Sequence, residues 1–332
     1  MTVLRASTGR KAGVGTCKNS VLPALGVLLL LMDAANAEPP SLAVLIPETA
    51  APYGEVFSEI VKGIERRAGG HLTQVNLKRN AELYSLKKRL QEQPVDAVIA
   101  LGWRGVEAAE KLDGVVPVIA GAAILNPATL HPGMSGITLR TDPDAALSRL
   151  KAFVPEIRRV HRVYSQAGYA CLVAQGRQAA GGLGLELFDY PVVVPTMSAH
   201  IQAYRELLAK KLDQHDAIWL CDDAFDAQGG VILDFLLEFS WKNSIVLFSE
   251  NPAHAKRGVL FAFLPDYGRL GERLAEMALE RLQQPDKKPA VVPLSNVSLL
   301  INIRTAEHLG IPVARRSRHG HLTSMPDGLV LD

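Results

Sequence analysis

The chain of 332 residues carries 36 basic and 34 acidic side chains, a formal net charge of +2. Residues 1–37 hold four of the basic groups and one of the acidic ones, so the remainder falls to about −1, and a nucleic-acid partner attracted by charge is excluded. The length beyond residue 37 suffices for two lobes of ordinary domain size, and no later run approaches the roughly 20 apolar residues that span a bilayer.

Arg5, Arg10, Lys11 and Lys18 precede an apolar run from Val21 to Met32, and Ala35-Asn36-Ala37 then offers small residues of the kind a signal peptidase reads. Residues 1–37 are expected to form a secretory signal cleaved near Ala37. An uncleaved anchor is the competing reading, but the apolar run is short for it. Cys17 precedes that run, so it is not placed as a lipid-anchor cysteine. The other two cysteines, Cys171 and Cys221, enter a compartment that permits a disulfide. Pairing and two separate thiols both remain open from sequence.

Ser41 to Ile46 reads as a first strand, ended by Pro47, and Tyr53 to Arg67 as a helix with Val56, Phe57, Ile60, Val61 and Ile64 on one face. Leu72 to Leu77 is a short strand and Ala81 to Gln91 a charged helix. Val95 to Leu112 (VDAVIALGWRGVEAAEKL) combines an unbroken apolar strand, a tight turn at Gly102-Trp103-Arg104 and a helical continuation. That turn meets the N-terminal end of a helix at the carboxyl end of a strand, the edge where open α/β sheets bind ligands. Val115 to Ala120 is the next strand. Ser135 to Asp142 separates one series of units from another and is taken as a first crossing between lobes.

Asp142-Pro143 opens a helix through Phe153, with Pro143 suited to a first helical position. His161 to Ser165 is a strand, Leu172 to Gly182 a helix stopped by Gly181-Gly182-Leu183-Gly184, and Leu185 to Val194 a strand. Ala199 to Leu212 is a helix, Ala217 to Cys221 a strand, Gly229 to Ser240 an apolar helix and Ser244 to Phe248 a strand. Phe261 to Gly268 leads into a helix over Arg269 to Gln283. Pro285 to Pro293 reads as a linker, Ser298 to Ile303 as the last strand, Thr305 to Leu309 as a short helix, and the residues from Arg315 as a basic, mobile tail. Strands alternating with helices at this pitch imply parallel sheets covered by helices.

Enzyme signatures are sparse. The chain has no Gly-x-Ser-x-Gly elbow, no His-Glu-x-x-His and no phosphate loop, and its glycine-rich stretch precedes a strand instead of following one. His319-Gly320-His321 resembles a metal-binding pair only superficially. Neither a cofactor nor a metal is expected.

Taken together, VDAVIALGWRGVEAA, PVIAGAAILNP, VPEIRRVHRVYS followed by GLGLEL, HDAIWLCDDAF, RGVLFAFLPDYGRLGERLAEMALERLQ and NIRTAEHLGI resemble the ABC-transporter substrate-binding protein family that includes aromatic amino-acid binders. The resemblance spans roughly residues 42–312. It implies a type I periplasmic-binding-protein fold: two Rossmann-like lobes with parallel sheets, joined by a three-crossing hinge, with the ligand between them. Lobe one would be 41–136 with 264–290, and lobe two 137–263 with 291–332. Hinge closure would be the working motion.

On that fold the cleft is lined by residues just past each strand. In lobe one these are Glu48, Thr49, Tyr53, Asn80, Trp103, Arg104 and Ile124 to Asn126. In lobe two they are Gln166, Tyr169, Thr196, Met197, Asp222 to Phe225, Glu250 and Asn251. Trp103 is suited to stacking on an apolar ligand and Arg104 to pairing with a carboxylate or phosphate; packing between lobes and a salt bridge to Glu107 are the alternatives. Asp222 and Asp223 offer an ammonium site or a helix cap. Tyr53, Tyr169 and Phe225 are either lobe packing or ligand contacts. Where relatives carry small or hydroxyl residues this chain has Trp103-Arg104, it has Ile124-Leu125-Asn126-Pro127 after the fourth strand, and it has Ser165 where many have asparagine.

The expectation is therefore a periplasmic solute-binding protein that captures a small, partly apolar molecule and delivers it to the membrane permease of an ABC importer, without catalysis. A larger lipid-like ligand is the alternative occupant. A sensing module for a membrane receptor, and a secreted α/β enzyme, are the alternative functions.

Overall fold

The computed structural model describes residues 39–49, 53–78, 94–112, 116–221, 230–313, 322–325 and 328–331, together with 86, 88, 90 and 92. The expected signal and its cleavage point, Asn80, Asp222, Phe225 and the His319/His321 pair lie outside the described residues, as does most of the helix expected over 81–91. In chain order the elements of the first half are β1 Leu42–Pro47, α1 Tyr53–Ala68, β2 Leu72–Leu77, β3 Ala97–Leu101, α2 Gly102–Glu110, β4 Val118–Ala123, β5 Ser135–Thr141, α3 Pro143–Phe153 and β6 Arg159–Ser165. They continue with α4 Gln166–Gly182, β7 Glu186–Val192, α5 Met197–Leu208, β8 Asp216–Leu220, α6 Val231–Asn243, β9 Val246–Ser249, α7 Pro252–Arg257 and β10 Phe261–Pro265. The last are α8 Tyr267–Gln283, β11 Val291–Leu294, β12 Val297–Ile301, α9 Ile303–His308, β13 Leu322–Met325 and β14 Gly328–Leu331.

Two sheets result. The first, ordered β11-β5-β4-β3-β1-β2, is parallel throughout; the second, ordered β13-β14-β12-β10-β9-β8-β6-β7, is parallel from β7 to β10 and antiparallel beyond. Alternation along each strand assigns its two faces to different cores. On β1, Leu42 and Val44 pack with Ile60 and Ile64 of α1 and Leu270 and Leu274 of α8, while Ala43 and Leu45 pack with Val106 and Ala109 of α2. On the second sheet, Val163, Ile218 and Leu247 meet Leu207 and Leu236 on one side, and Trp219, Phe248 and Phe261 meet Phe153 and Tyr169 on the other. Strands buried on both faces are apolar without a break, which is why β3 and β8 were plain in the sequence.

Helices α1 and α8 cross at backbone contact. A Cβ on Gly271 would lie 2.0 Å from the Ile60 carbonyl oxygen, and one on Gly63 would lie 2.1 Å from that of Gly268. Arg66–Glu272 and Arg67–Glu276 pairs, each 2.9 Å, flank the crossing. This contact returns α8 to the first lobe after the chain has built most of the second.

The chain passes between lobes at Asp142, at Asp266 and at Ser295–Asn296, and the three passages are hydrogen-bonded together. Asp142 N donates to Leu294 O at 2.9 Å, and Asp266 N to Asn296 O at 3.1 Å. The Asp142 carboxylate caps α3 through Asp144 N at 3.0 Å and accepts from Gln175 Nε2 at 3.1 Å and Ser295 Oγ at 2.8 Å. Pro143 occupies the first turn of α3, as its fixed φ favours.

The structure moves several boundaries. β5 and β11 both belong to the first sheet, so the crossings fall near 142 and 295 rather than at 136/137 and 290/291. β11 occupies part of the expected linker: Pro293 is tolerated because β11 is an edge strand that needs no donor on its outer side. The expected tail contributes β13 and β14, and β14 pairs with β12. β4 begins at Val118, after Pro117. Helix α4 starts at Gln166, directly after β6, rather than at Leu172. It ends where expected, at Gly182, with Gly184 at φ +65°. Among the described residues, no helix is long and apolar enough to cross a membrane.

Candidate functional site

The carboxyl ends of the parallel strands in both sheets face the side where the chain crosses between lobes, and the expected ligand residues converge there unevenly. Gly102 turns the chain out of β3 at φ +64°, a conformation that favours glycine, and Phe57 and Pro47 would crowd any Cβ at 3.2 and 3.3 Å. The next residues open α2 with Trp103 52% exposed and Arg104 exposed. Among the described residues Arg104 forms no ion pair, with Glu107 or across the lobes. Tyr53 begins α1, and its side chain is outside the description. Thr196 and Asn251 serve as helix caps, accepting from Ala199 N at 3.2 Å and Ala253 N at 3.0 Å. Cys171 lies exposed on α4 and Cys221 buried at the end of β8, and no disulfide joins them.

Three of the expected residues lie at the seam between lobes. The Asn126 side chain, following β4, reaches into the second lobe, donating from Nδ2 to Ala167 O at 3.3 Å. Tyr169, in the first turn of α4, is fully buried, and Glu250, just after β9, is 8% exposed. Tyr169 and Glu250 are joined by a residue that was not among those expected from the sequence. Arg140, 6% exposed in β5, extends from the first sheet so that Nη1 donates to Tyr169 Oη at 3.0 Å and lies 3.8 Å from Glu250 Oε2. Its guanidinium stands 4.2 Å over the Tyr169 ring, a cation–π geometry. Burial holds the Tyr169 phenol well above its ordinary pKa, so the ring presents a neutral hydroxyl at physiological pH. Arg140 is the one basic residue in Ser135–Asp142, in a segment otherwise of small, apolar and hydroxyl residues plus a terminal Asp, and that was the available signal.

The seam is close-fitting. A Cβ on Gly168 would sit 3.3 Å from Arg140 Nη2, so the glycine admits the guanidinium beside α4. Thr138 Oγ1, also on β5, accepts from Leu125 N at 3.0 Å and fixes the loop that carries Asn126. Ala122, at the end of β4, is held at φ +56°, a strained position for a residue with a Cβ, and the β4–β5 register slips between Ala120 and Ala123. On the second lobe, Ser165 ends β6 with its Oγ 3.4 Å from His200 Nε2, while His200 Nδ1 lies 2.9 Å from Thr196 O. β3 stands two strands from β5, so the chain at Trp103 is about 10 Å along the same edge from that at Arg140. The edge thus offers a large exposed ring at one side and a buried, charge-paired polar cluster at the crossings. Such a mixture orients a ligand by a few polar groups while burying its apolar surface.

Neither a family model nor a curated protein matches the chain. Solved structures do. The ligand-free, open structure of a substrate-binding protein with adhesive properties from Clostridium difficile is similar at a TM-score of 0.57 and 15% identity, over 82% of this chain and 95% of that one. An ABC domain in complex with L-Trp from Streptococcus pneumonia has a TM-score of 0.47 and 19% identity, over 82% and 96% of the two chains. GanP, a glucose-galactose binding protein from Geobacillus stearothermophilus, has 0.44 and 17%, over 80% and 98%. With the two sheets and three crossings, the first of these likenesses establishes the fold: two α/β lobes of the type I periplasmic-binding-protein kind.

Proposed function

We propose that this protein is a periplasmic solute-binding protein that closes its two lobes on a small, partly apolar molecule and hands it to the permease of an ABC importer, performing no chemistry on it. The observation that carries the reading is the Arg140–Tyr169–Glu250 cluster, which links the lobes through buried polar groups beside the hinge crossings. Lobes so joined can rotate about the crossings while Trp103, at the outer part of the same edge, gains cover from a bound ligand. A ligand that binds only the closed form stabilises it by mass action, about 2.7 kcal/mol at a hundred times Kd.

Thermal unfolding with a panel of aromatic amino acids and of larger lipid-like molecules tests the ligand class, and small-angle scattering tests closure. A raised melting temperature with a smaller radius of gyration is expected for members of the first set. If neither set shifts the melting temperature, the solute-binding reading fails. Mass spectrometry of the bound molecule after denaturation is expected to recover it unchanged; turnover would restore the enzyme reading. Export with a mature N-terminus just after Ala37 is expected, and permease and ATPase genes beside this one, rather than a receptor gene, are the expected context for transport.

A further inference from the structure

The second lobe carries another concavity, at the end opposite the proposed cleft. It lies where α6 leads into β9, where α7 ends at Gly258 and where Asn302 N donates to Leu260 O at 2.9 Å, all at the amino-terminal edge of the parallel strands. Its volume is about 400 Å³, within the range of small-ligand sites. Four basic side chains, Lys256, Arg257, Arg304 and His308, line it against one carboxylate, Glu238.

One wall is a preformed aromatic stack. The Trp241 and His308 rings are parallel within 5° at a centroid distance of 3.6 Å, and His308 Nε2 lies 2.9 Å from Trp241 O, which fixes the imidazole against the indole. Arg304 stands 5.6 Å from the Trp241 ring centroid. Trp241 nonetheless remains 42% exposed, a large apolar surface left open beside the Arg304 guanidinium. Among the described residues, Arg304 has no carboxylate partner, whereas Arg257 is paired with Asp234 at 2.5 Å.

The floor narrows the ligand chemistry. Ser240 Oγ donates to Ile245 O at 2.6 Å, Thr305 Oγ1 to Gly258 O at 2.8 Å and Asn302 Nδ2 to Ala255 O at 2.7 Å, so the floor's donors are already engaged. A sugar, which needs many paired donors and acceptors, would find few. A cation would face Arg304, whose charge no carboxylate offsets among the described residues. An anion can take the Arg304 fork bidentately while a flat apolar body lies against Trp241, Leu237 and Leu309. We propose that this cavity is a second binding site, for a small planar organic anion of the aromatic carboxylate class, and that it is occupied independently of the interlobe cleft.

The test uses the full chain with 2-naphthoate as probe, followed by calorimetry. Saturable one-to-one binding is expected, weakened at least tenfold in Arg304→Gln and in Trp241→Leu and unchanged in Trp103→Leu, whose substitution lies in the other site. Thermal unfolding of each variant, with an unchanged midpoint, shows that the loss is not unfolding. The neutral analogue 2-naphthamide is expected to bind at least tenfold more weakly than the acid. No saturable binding up to millimolar probe overturns the site. Equal affinity for acid and amide overturns the anion. Loss of binding in Trp103→Leu with retention in Trp241→Leu assigns the probe to the cleft and overturns the proposal without touching the reading of the cleft itself.

Discussion

Removing Arg140 should expose how much the seam between the lobes depends on one buried cation. At 3.8 Å and an effective dielectric of about 20, the attraction between Arg140 and Glu250 is about 4 kcal/mol before desolvation is charged against it. The pair is looser than a direct hydrogen bond, and its members are only 6% and 8% exposed, so most of that attraction offsets the cost of burial. Arg140→Gln deletes the cation but leaves the Glu250 carboxylate buried without this counter-charge, which costs about 3 kcal/mol, the lower part of the usual range because this pair is loose. The cation–π contact with Tyr169 adds to the loss in the same direction. Urea unfolding of Arg140→Gln is measured beside a closed cycle of Arg140→Met, Glu250→Leu and the variant carrying both. A loss of about 3 kcal/mol is expected for Arg140→Gln and for Arg140→Met, with the double variant recovering about 2 kcal/mol of it, since two apolar groups leave no buried charge behind. A loss below about 0.5 kcal/mol for Arg140→Gln, or single effects that simply add, would refute the bridging role given to this residue.

At the α1–α8 crossing, Gly271→Ala is expected to cost about 1–3 kcal/mol in urea unfolding because its Cβ meets the Ile60 carbonyl at 2.0 Å and two backbones must part; an unchanged midpoint would contradict that packing. Acid should weaken the second lobe. Asp216, 1% exposed, accepts from Arg159 Nε at 2.7 Å and lies 2.8 Å from His161 Nε2. Burial works against ionisation there, but these hydrogen bonds prevail and hold Asp216 down at about 2 against an ordinary 3.8. Its stabilisation is therefore complete above pH 3.8 and is lost as pH falls towards 2. It amounts to at most about 2 kcal/mol, since Arg159 is a third exposed and solvent screens part of the attraction. Burial lowers the His161 pKa, so its contribution is complete above 6.5 and declines as pH falls below that value, in the same direction. Stability measured from pH 7 to 2 in wild type and in Asp216→Asn checks both, and a variant with the wild-type acid slope below pH 4 would exclude Asp216 as the cause. Finally, Trp103→Ala should weaken a confirmed cleft ligand about tenfold by calorimetry, and an unchanged Kd would remove Trp103 from the site.

The sequence alone determined the alternation of strands and helices, because a strand covered on both faces has to be apolar throughout, and Ala97–Leu101 and Ala217–Leu220 satisfy that without help from distant residues. It also located Asp142-Pro143 as a helix start and Gly184 as a stop, where local backbone chemistry decides the outcome. Strands whose environment is mixed were harder. Arg162 is fully buried in β6 because Asp189, on the neighbouring strand, receives its Nε and Nη2 at 3.0 and 2.7 Å, and nothing within β6 announces that partner. β11 read as a linker because an edge position, which tolerates proline, is a property of the sheet and not of the segment.

The site divides in the same way. Trp103 stood out because it is a large ring directly after a strand, a feature readable from neighbours in the chain. Arg140 did not, since in sequence it is a charge near the end of a strand, and such charges usually point to solvent. Only the tertiary structure brings β5 of one lobe against α4 and β9 of the other, where Arg140, Tyr169 and Glu250 become one buried cluster. Their separations along the chain, 29 residues from Arg140 to Tyr169, are bridged by hydrogen bonding across strands and by the crossings, and these long-range contacts leave no local pattern to read.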